Sequence, residues 1–170
     1  EGSEKPEEII VVSAHYDHVG MKNGEIYNGA DDDGSGTVGL IEIAQAFQKA
    51  KKEGHGPKRS ILILHVTGEE HGLHGSRYYS ENPLFPLANT VADVNIDMIG
   101  RRDEAHADSN NYVYVIGSDY LSTDLYNICE AVNNKYTKLT LDYKYNDRND
   151  KNRFYYRSDH YNFAKNGIPS

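Results

Sequence analysis

The chain has 170 residues, of which 38% are hydrophobic, and its 26 acidic and 18 basic residues leave a formal charge of −8. This length suits one domain with a buried core, whereas the acidic balance argues against nucleic acid as a partner. No apolar run approaches the roughly 20 residues of a membrane-spanning helix, so the sequence predicts no membrane span.

The first predicted element is a buried strand that ends in a histidine. Residues 8–15 form a continuous apolar run, which is typical of a strand covered on both faces. His15 and Asp17 stand two positions apart, so an extended backbone points both side chains the same way. This spacing suits a metal-binding histidine whose orientation a carboxylate fixes, although a hydrogen-bonded strand end is the simpler interpretation of this pair alone. His18 points elsewhere and is assigned no role.

An acidic, glycine-rich loop over residues 28–36 comes next, with three adjacent aspartates at 31–33. Like charges this close repel one another unless a cation lies nearby. The EF-hand spacing of oxygen ligands is absent, so a calcium loop ranks below a transition-metal site. The following segment predicts a helix that ends near Gly54 and has one apolar face, formed by Leu40, Ile43, Ala44, Phe47 and Ala50.

The central strand, residues 60–65, leads into a turn with two adjacent acids, Glu69 and Glu70. Such an apolar run predicts a buried parallel strand that delivers both acids to the sheet edge where α/β proteins bind ligands. A metal ion would let one carboxylate act as a ligand and the other as a base on metal-bound water. A solvated acidic turn is the alternative for an isolated pair of glutamates.

A short helix over 73–80 then precedes a third predicted strand over 91–100. Asp97 lies near the end of this strand, between Ile96 and Met98, where a charge is costly unless it is paired or coordinated. The pattern therefore favours a ligand or an ion pair at Asp97.

The last third of the chain contains a fourth predicted strand over 112–117 and a helix over 123–133. Cys129, the only cysteine, is expected on the apolar face of that helix as a core residue. A tyrosine-rich loop over 143–159 precedes His160, which we expect in the first turn of a final helix, aimed at the same sheet edge.

Strands that alternate with helices predict an α/β fold with a mostly parallel sheet covered by helices on both faces. The sequence contains no HExxH, GxSxG or Walker-type glycine motif, so it gives no support to the enzymes that those motifs define. The final residues 166–170 are typical of a helix end that turns into a new strand. We therefore expect residues 1–170 to form one catalytic domain that is truncated at one or both ends.

Five short motifs resemble a known family. They are Ser-Ala-His15-Tyr-Asp17, Gly-Ala-Asp31-Asp32-Asp33-Gly-Ser-Gly, Gly-Glu69-Glu70-His-Gly-Leu-His-Gly-Ser, Asn-Ile-Asp97-Met-Ile-Gly and Arg-Ser-Asp159-His160. In this order and spacing they resemble the co-catalytic dizinc exopeptidases, which include bacterial leucyl aminopeptidases and glutamate carboxypeptidase II. The resemblance covers nearly the whole chain and implies a three-layer α/β/α fold.

The resemblance implies a ligand set for two zinc ions. Asp32 would bridge the two ions. His15 and Asp97 would complete the shell of one ion, and Glu70 and His160 would complete the shell of the other. Imidazole and carboxylate ligands of this kind suit zinc and related divalent ions.

The resemblance also implies catalytic roles. Glu69 would be the general base that takes a proton from water and gives it to the leaving amine. Asp17 would hold the ring of His15. A cis peptide bond is implied between Asp32 and Asp33, and the tyrosine-rich loop suggests an oxyanion-stabilising group among Tyr155, Tyr156 and Arg157.

The expected function is therefore a metal-dependent aminopeptidase that acts on peptides and is secreted or periplasmic, as such exopeptidases commonly are. Carboxypeptidase activity is an alternative that needs a cationic cluster for the substrate carboxylate, with candidates Arg101, Arg102, Arg153 and Arg157. Two further alternatives share the fold: a glutaminyl cyclase, which binds one zinc ion, and a non-catalytic module like the transferrin receptor ectodomain. Side-chain specificity and oligomeric state do not follow from the sequence.

Overall fold

The structure, a computed structural model, describes all 170 residues. The strands are β1 (Lys5–His15), β2 (Gly20–Lys22), β3 (Glu25–Tyr27), β4 (Arg59–Val66), β5 (Thr90–Asn95), β6 (Tyr112–Tyr114) and β7 (Thr140–Asp142). The α-helices are α1 (Gly34–Lys52), α2 (His74–Glu81), α3 (Thr123–Val132) and α4 (His160–Ala164). Short 3-10 helices cover Leu87–Asn89, Glu104–His106 and Phe154–Tyr156, and a π-helical turn covers Asn133–Thr137.

The central sheet has three parallel strands in the order β4-β1-β5. His15 lies beside Val66 of β4, and Ser13 lies beside Asn95 of β5. Because all three strands run in one direction, their carboxyl ends meet at the same edge of the sheet. The segments that follow them therefore start from one place in the molecule.

Alternate residues of β1 pack against helices on opposite faces of this sheet. Val12 and Ala14 contact Leu40 of α1 on one face. On the other face, Ile9 and Val11 belong to a cluster that includes Tyr79 of α2 and Phe163 of α4, with Ile168. This arrangement has helices on both sides of a parallel sheet, so the predicted α/β class is confirmed.

The start and end of α1 follow its sequence. Asp33 caps the helix, and its side chain accepts a hydrogen bond of 2.9 Å from the backbone N–H of Gly36. Lysines crowd its last turn, where positive charge interacts favourably with the helix dipole. Beyond it, Gly54 has a positive φ of 83°, which ends the helix as predicted.

Several elements differ from the predictions. The fourth strand is short and pairs with β7 in a separate two-stranded sheet, so it does not extend the central one. The antiparallel pair of β2 and β3 was not predicted. The apolar face predicted for α3 is not buried, because Ile128 and Val132 are exposed and Cys129 is only partly buried. None of the helices is long and apolar enough to cross a membrane.

Candidate metal centre

The ends of the three central strands place acids and imidazoles together. β1 ends at His15, β4 ends three residues before Glu69, and β5 ends two residues before Asp97. The loop before α1 adds Asp32 to the same edge. Sequence reasoning expected this convergence, and the structure brings these side chains into one cluster at the carboxyl edge.

One group of possible ligands consists of His15, Glu69 and Asp97. One donor atom from each lies within 4.8 Å of the others. His15 is 1% exposed, and its Nε2 lies 3.8 Å from Asp97 Oδ1 and 3.3 Å from Asp32 Oδ1. Three donor atoms at this separation can converge on one cation.

A second group consists of His18, Asp32 and Glu70, again with donor atoms within 4.8 Å of one another. His18 Nδ1 lies 2.8 Å from Glu70 Oε1 and 3.9 Å from Asp32 Oδ2. Asp32 therefore stands between the groups, with Oδ1 towards His15 and Oδ2 towards His18. The sequence analysis assigned no role to His18, whose only signal was its position three residues after His15.

His160 lies outside both groups, although it begins α4 at the same end of the sheet. Its side chain is buried beside the ring of Tyr155, with ring centroids 5.3 Å apart. Burial lowers the pKa of His160 to about 4, against the opposing effects of a hydrogen bond with the Tyr155 backbone and the charge of Asp97. The ring is therefore neutral at pH 7, which is the form that binds metals.

Asp17 connects the two strand ends. Its carboxylate accepts hydrogen bonds from the backbone N–H groups of Glu69, at 3.2 Å, and Glu70, at 3.4 Å. One of its oxygens also lies 3.5 Å from Nδ1 of His15. Nδ1 is 3.1 Å from the backbone carbonyl of Asp17, and since a carbonyl can only accept, Nδ1 carries the proton. In the neutral ring the lone pair is then on Nε2, which faces the cluster.

The pKa values in the cluster reflect an excess of negative charge. Burial alone would lower the pKa of His15, but Asp97 above all, then Glu69 and Asp33, raise it to about 10. Burial raises the pKa of Glu69 to about 8, with Asp97 adding to this effect and His15 opposing it. Both shifts have the direction expected where several carboxylates lie close together, because their negative charges favour a protonated imidazole and a protonated acid.

The donor set fits a divalent transition metal. Buried polar atoms that lack a hydrogen bond normally cost free energy. His15 Nε2 in the first group and Nε2 of the nearby His160 are two such atoms, whereas His18 Nδ1 and Glu70 Oε1 contact each other at 2.8 Å. Imidazole nitrogens and carboxylate oxygens are also the ligand types that such ions prefer. The unpartnered atoms are the ones that a bound ion would satisfy.

The neighbouring residue Asp33 fixes the position of the loop that carries Asp32. The Asp32–Asp33 peptide bond is cis, which confirms the bond implied by the resemblance. Asp33 Oδ1 accepts a hydrogen bond from the backbone N–H of Met98, at 3.1 Å, as well as from the start of α1. This contact fixes the loop of Asp32 relative to the turn that carries Asp97.

The other candidates from the sequence have different surroundings. Tyr155 is buried against Tyr120 and His160, and Tyr156 is partly exposed. Arg101 forms an ion pair of 2.9 Å with Asp31, beside the metal-ligand loop. The remaining arginines contact other groups: Arg102 bonds with Asn110, Arg153 lies over Tyr156 and Arg157 lies over Phe154.

These features define an α/β protein with a candidate metal centre at the carboxyl edge of a parallel sheet. The chain belongs to peptidase family M28, whose sequence pattern matches residues 1–170. It is similar to a protein of Pyrenophora tritici-repentis named probable zinc metalloprotease, with 34% identity over 105 residues that make up 58% of this chain and 20% of that protein.

Solved structures are similar over most of the chain. The Legionella protein LapA superimposes with a TM-score of 0.66 and 28% identity, over 95% of this chain and 40% of LapA. A glutaminyl cyclase from an Acidobacteriales bacterium also has a TM-score of 0.66, with 23% identity over 98% of this chain and 53% of the cyclase, a similarity of fold. The chain thus spans between a fifth and about half of the length of these proteins.

Proposed function

We propose that this protein is a zinc-dependent aminopeptidase that binds two metal ions at the cluster and hydrolyses the N-terminal bond of peptides. Membership of a peptidase family supports peptide hydrolysis, and the name of the Pyrenophora relative supports zinc. The single observation that carries the two-ion proposal is the position of Asp32, whose two carboxylate oxygens face two different groups of ligands.

The ligands are assigned from these positions and the family motifs. One ion would be held by His15, Asp97 and Asp32. The other would be held by Asp32, Glu70 and His160. When bound, the ions would polarise the peptide carbonyl and lower the pKa of a water molecule.

The chain's own groups would orient the centre and move protons. Asp17 fixes the ring of His15 and holds the backbone of Glu69 and Glu70 by two hydrogen bonds. Glu69 lies within 4.8 Å of the donor atoms of His15 and Asp97. It would accept the proton of the attacking water and pass it to the leaving amine, the role of a general base and then a general acid.

The second metal site has two candidate histidines. His160 is the ligand by motif, and its ring is neutral and unpartnered at Nε2. His18 is the histidine in contact with Glu70. We expect His160→Ala to reduce the zinc content to one ion per chain and His18→Ala to leave it at two. Two ions in His160→Ala and one in His18→Ala would transfer the role to His18.

The activity is tested with aminoacyl-nitroanilides, before and after chelation and zinc addition. Removing a positioned general base typically costs about 100- to 10,000-fold in rate, so Glu69→Gln should lose this much kcat while it retains zinc. The matched control is Glu81→Gln, an exposed acid at the end of α2. Undiminished turnover by Glu69→Gln would contradict the base assignment. Ammonia release from N-terminal glutamine without peptide hydrolysis would indicate a cyclase instead.

The protein is also proposed to act outside the cytoplasm, on the family resemblance alone.

A carboxypeptidase would need arginines that converge beside the cluster. Arg101 is the one of the four candidates that is paired with an acid of the metal-ligand loop, and the aminoacyl-nitroanilide assay separates the two activities because its substrates have no free carboxylate.

A further inference from the structure

A series of hydrogen-bonded polar side chains joins Asp93 of β5 to Asp97 of the cluster. Ser13 Oγ lies 2.9 Å from Asp93 Oδ1 and 2.9 Å from Asn95 Oδ1. Asn95 Nδ2 lies 2.8 Å from Ser158 Oγ, which in turn lies 2.8 Å from Asp97 Oδ2. Asp93 and Ser13 are almost completely buried, at 1% and 0% exposure. The proposed catalytic chemistry does not use either residue.

If both aspartates are ionised, this series of side chains has too few hydrogens to form a hydrogen bond at every contact. Four contacts join the five side chains. Each serine hydroxyl supplies one hydrogen, and Asn95 supplies one, because its oxygen faces the opposite neighbour. Three hydrogens cannot fill four contacts. One carboxyl group must therefore carry a proton, or two oxygens would face each other without a hydrogen between them.

The surroundings place that proton on Asp93. No basic side chain forms an ion pair with Asp93, and its second oxygen is buried without a partner, which is cheaper for a neutral acid than for an anion. Burial raises the pKa of Asp93 to about 8, with Ser13 opposing and the nearby Asp159 adding to the effect. Asp97 differs, because its side chain is 26% exposed, accepts a hydrogen bond from Ser158, and lies beside the imidazole of His15, all of which favour the ionised form.

We propose that Asp93 is a neutral carboxylic acid and a positioning residue for the metal ligand Asp97. The proton of Asp93 is donated to Ser13, the hydroxyl of Ser13 to Asn95, the amide of Asn95 to Ser158, and the hydroxyl of Ser158 to Asp97 Oδ2. This direction of donation holds one oxygen of Asp97 and leaves Oδ1 facing His15. The inference rests on the proposed function in one respect, namely that Asp97 is a metal ligand.

The direction of hydrogen-bond donation along the series depends on the charge of Asp93. An ionised Asp93 would draw the hydroxyl of Ser13 towards itself. Asn95 would then present its oxygen to another oxygen and would turn over to avoid this contact. Ser158 would in turn donate to Asn95, and Asp97 would lose its only hydroxyl donor.

The protonation of Asp93 is tested in the metal-free protein. Infrared difference spectra at pH 7, with the carboxyl groups of aspartate labelled with ¹³C, should contain the carbonyl band of a protonated acid. This band should disappear in Asp93→Asn. If Asp93→Asn leaves the spectrum unchanged in this region, Asp93 is ionised and the proposal is wrong.

The positioning role is tested by zinc affinity, measured by titration calorimetry. Loss of a group that orients a metal ligand typically costs about 10- to 100-fold in affinity. Ser13→Ala should therefore weaken zinc binding at one of the two sites, the one that contains Asp97, by about this factor. Asp93→Asn should bind zinc like the unchanged protein, because its amide can still donate to Ser13. The matched control is Ser80→Ala, a buried serine of α2 that donates to the backbone of Arg77.

The outcomes separate the two levels of inference. Equal zinc affinities in Ser13→Ala and Ser80→Ala would overturn the positioning role. A protein that binds no zinc but retains the protonated-acid band would contradict the proposed function and support the protonation of Asp93. If Ser13→Ala fails to fold, the infrared measurement on the unchanged protein still decides the protonation.

Discussion

Replacing Asp17 with alanine should destabilise the protein and weaken metal binding together. The substitution leaves the backbone N–H groups of Glu69 and Glu70 without their acceptor. An unsatisfied donor costs roughly 1–3 kcal/mol, and the two bonds are long, at 3.2 and 3.4 Å, so each belongs near the lower end of that range. We therefore expect a loss of about 2 kcal/mol in the free energy of unfolding of the metal-free protein.

The metal readout adds an independent test. Without its carboxylate neighbour, the ring of His15 loses the group that lies 3.5 Å from Nδ1, and zinc affinity should fall by about 10- to 100-fold. Urea unfolding of the metal-free protein and calorimetric zinc titration measure the two effects. The control is Asp108→Ala, an exposed acid far along the chain. If Asp17→Ala matched this control in both measurements, the structural role of Asp17 would be refuted.

Two further predictions concern the core and the sheet of β6 and β7. Leu40→Ala should cost about 2–5 kcal/mol in urea unfolding, because Leu40 is fully buried, whereas Val38→Ala, at an exposed position of the same helix, should cost much less. Tyr114→Phe should raise the pKa of Asp103, which hydrogen bonds from Tyr114 and His106 hold at about 2, below its ordinary 3.8. In the unchanged protein, Asp103 therefore stabilises the fold above pH 3.8 and loses this effect as the pH falls towards 2. NMR titration of Tyr114→Phe should find the pKa of Asp103 closer to 3.8, so that its contribution to stability is smaller.

Each of these has a contrary outcome. A loss in Leu40→Ala no larger than in Val38→Ala would mean that α1 does not pack on β1 as described. An Asp103 titration that is the same in Tyr114→Phe would mean that the tyrosine hydroxyl does not bond to the carboxylate.

The arrangement of the candidate metal centre could be predicted because the strands that carry it are continuous apolar runs. Apolar runs at 8–15 and 60–65 predict strands buried on both faces. Parallel strands then bring their carboxyl ends to one edge, so His15 and Glu69 were expected to be neighbours. The order of the motifs added Asp32 and its cis bond, which no periodicity predicts.

Two other features were not predicted, for different reasons. His18 lies beyond the end of β1, where the alternation of a strand no longer fixes the direction of a side chain, so its contact with Glu70 was missed. The hairpin of β2 and β3 had a usable signal in Asn23-Gly24, a turn pair with positive φ at both residues.

For helix α3, the sequence predicted a buried face that the structure leaves exposed. Its apolar residues recur with helical spacing, and this pattern predicted a buried face. In the structure Ile128 is 58% exposed, because periodicity identifies an apolar face and does not identify what covers it. The protonation of Asp93 was also beyond the sequence, since it follows from counting hydrogens between side chains that only the fold brings together.

The most direct test of the two-ion proposal is a crystal structure with zinc, in which anomalous scattering locates the ions. We predict two zinc ions per chain, on opposite sides of Asp32, and in Asp32→Asn the loss of at least one of them. Two ions that remain in place in Asp32→Asn, or ions that bind away from Asp32, would contradict the account.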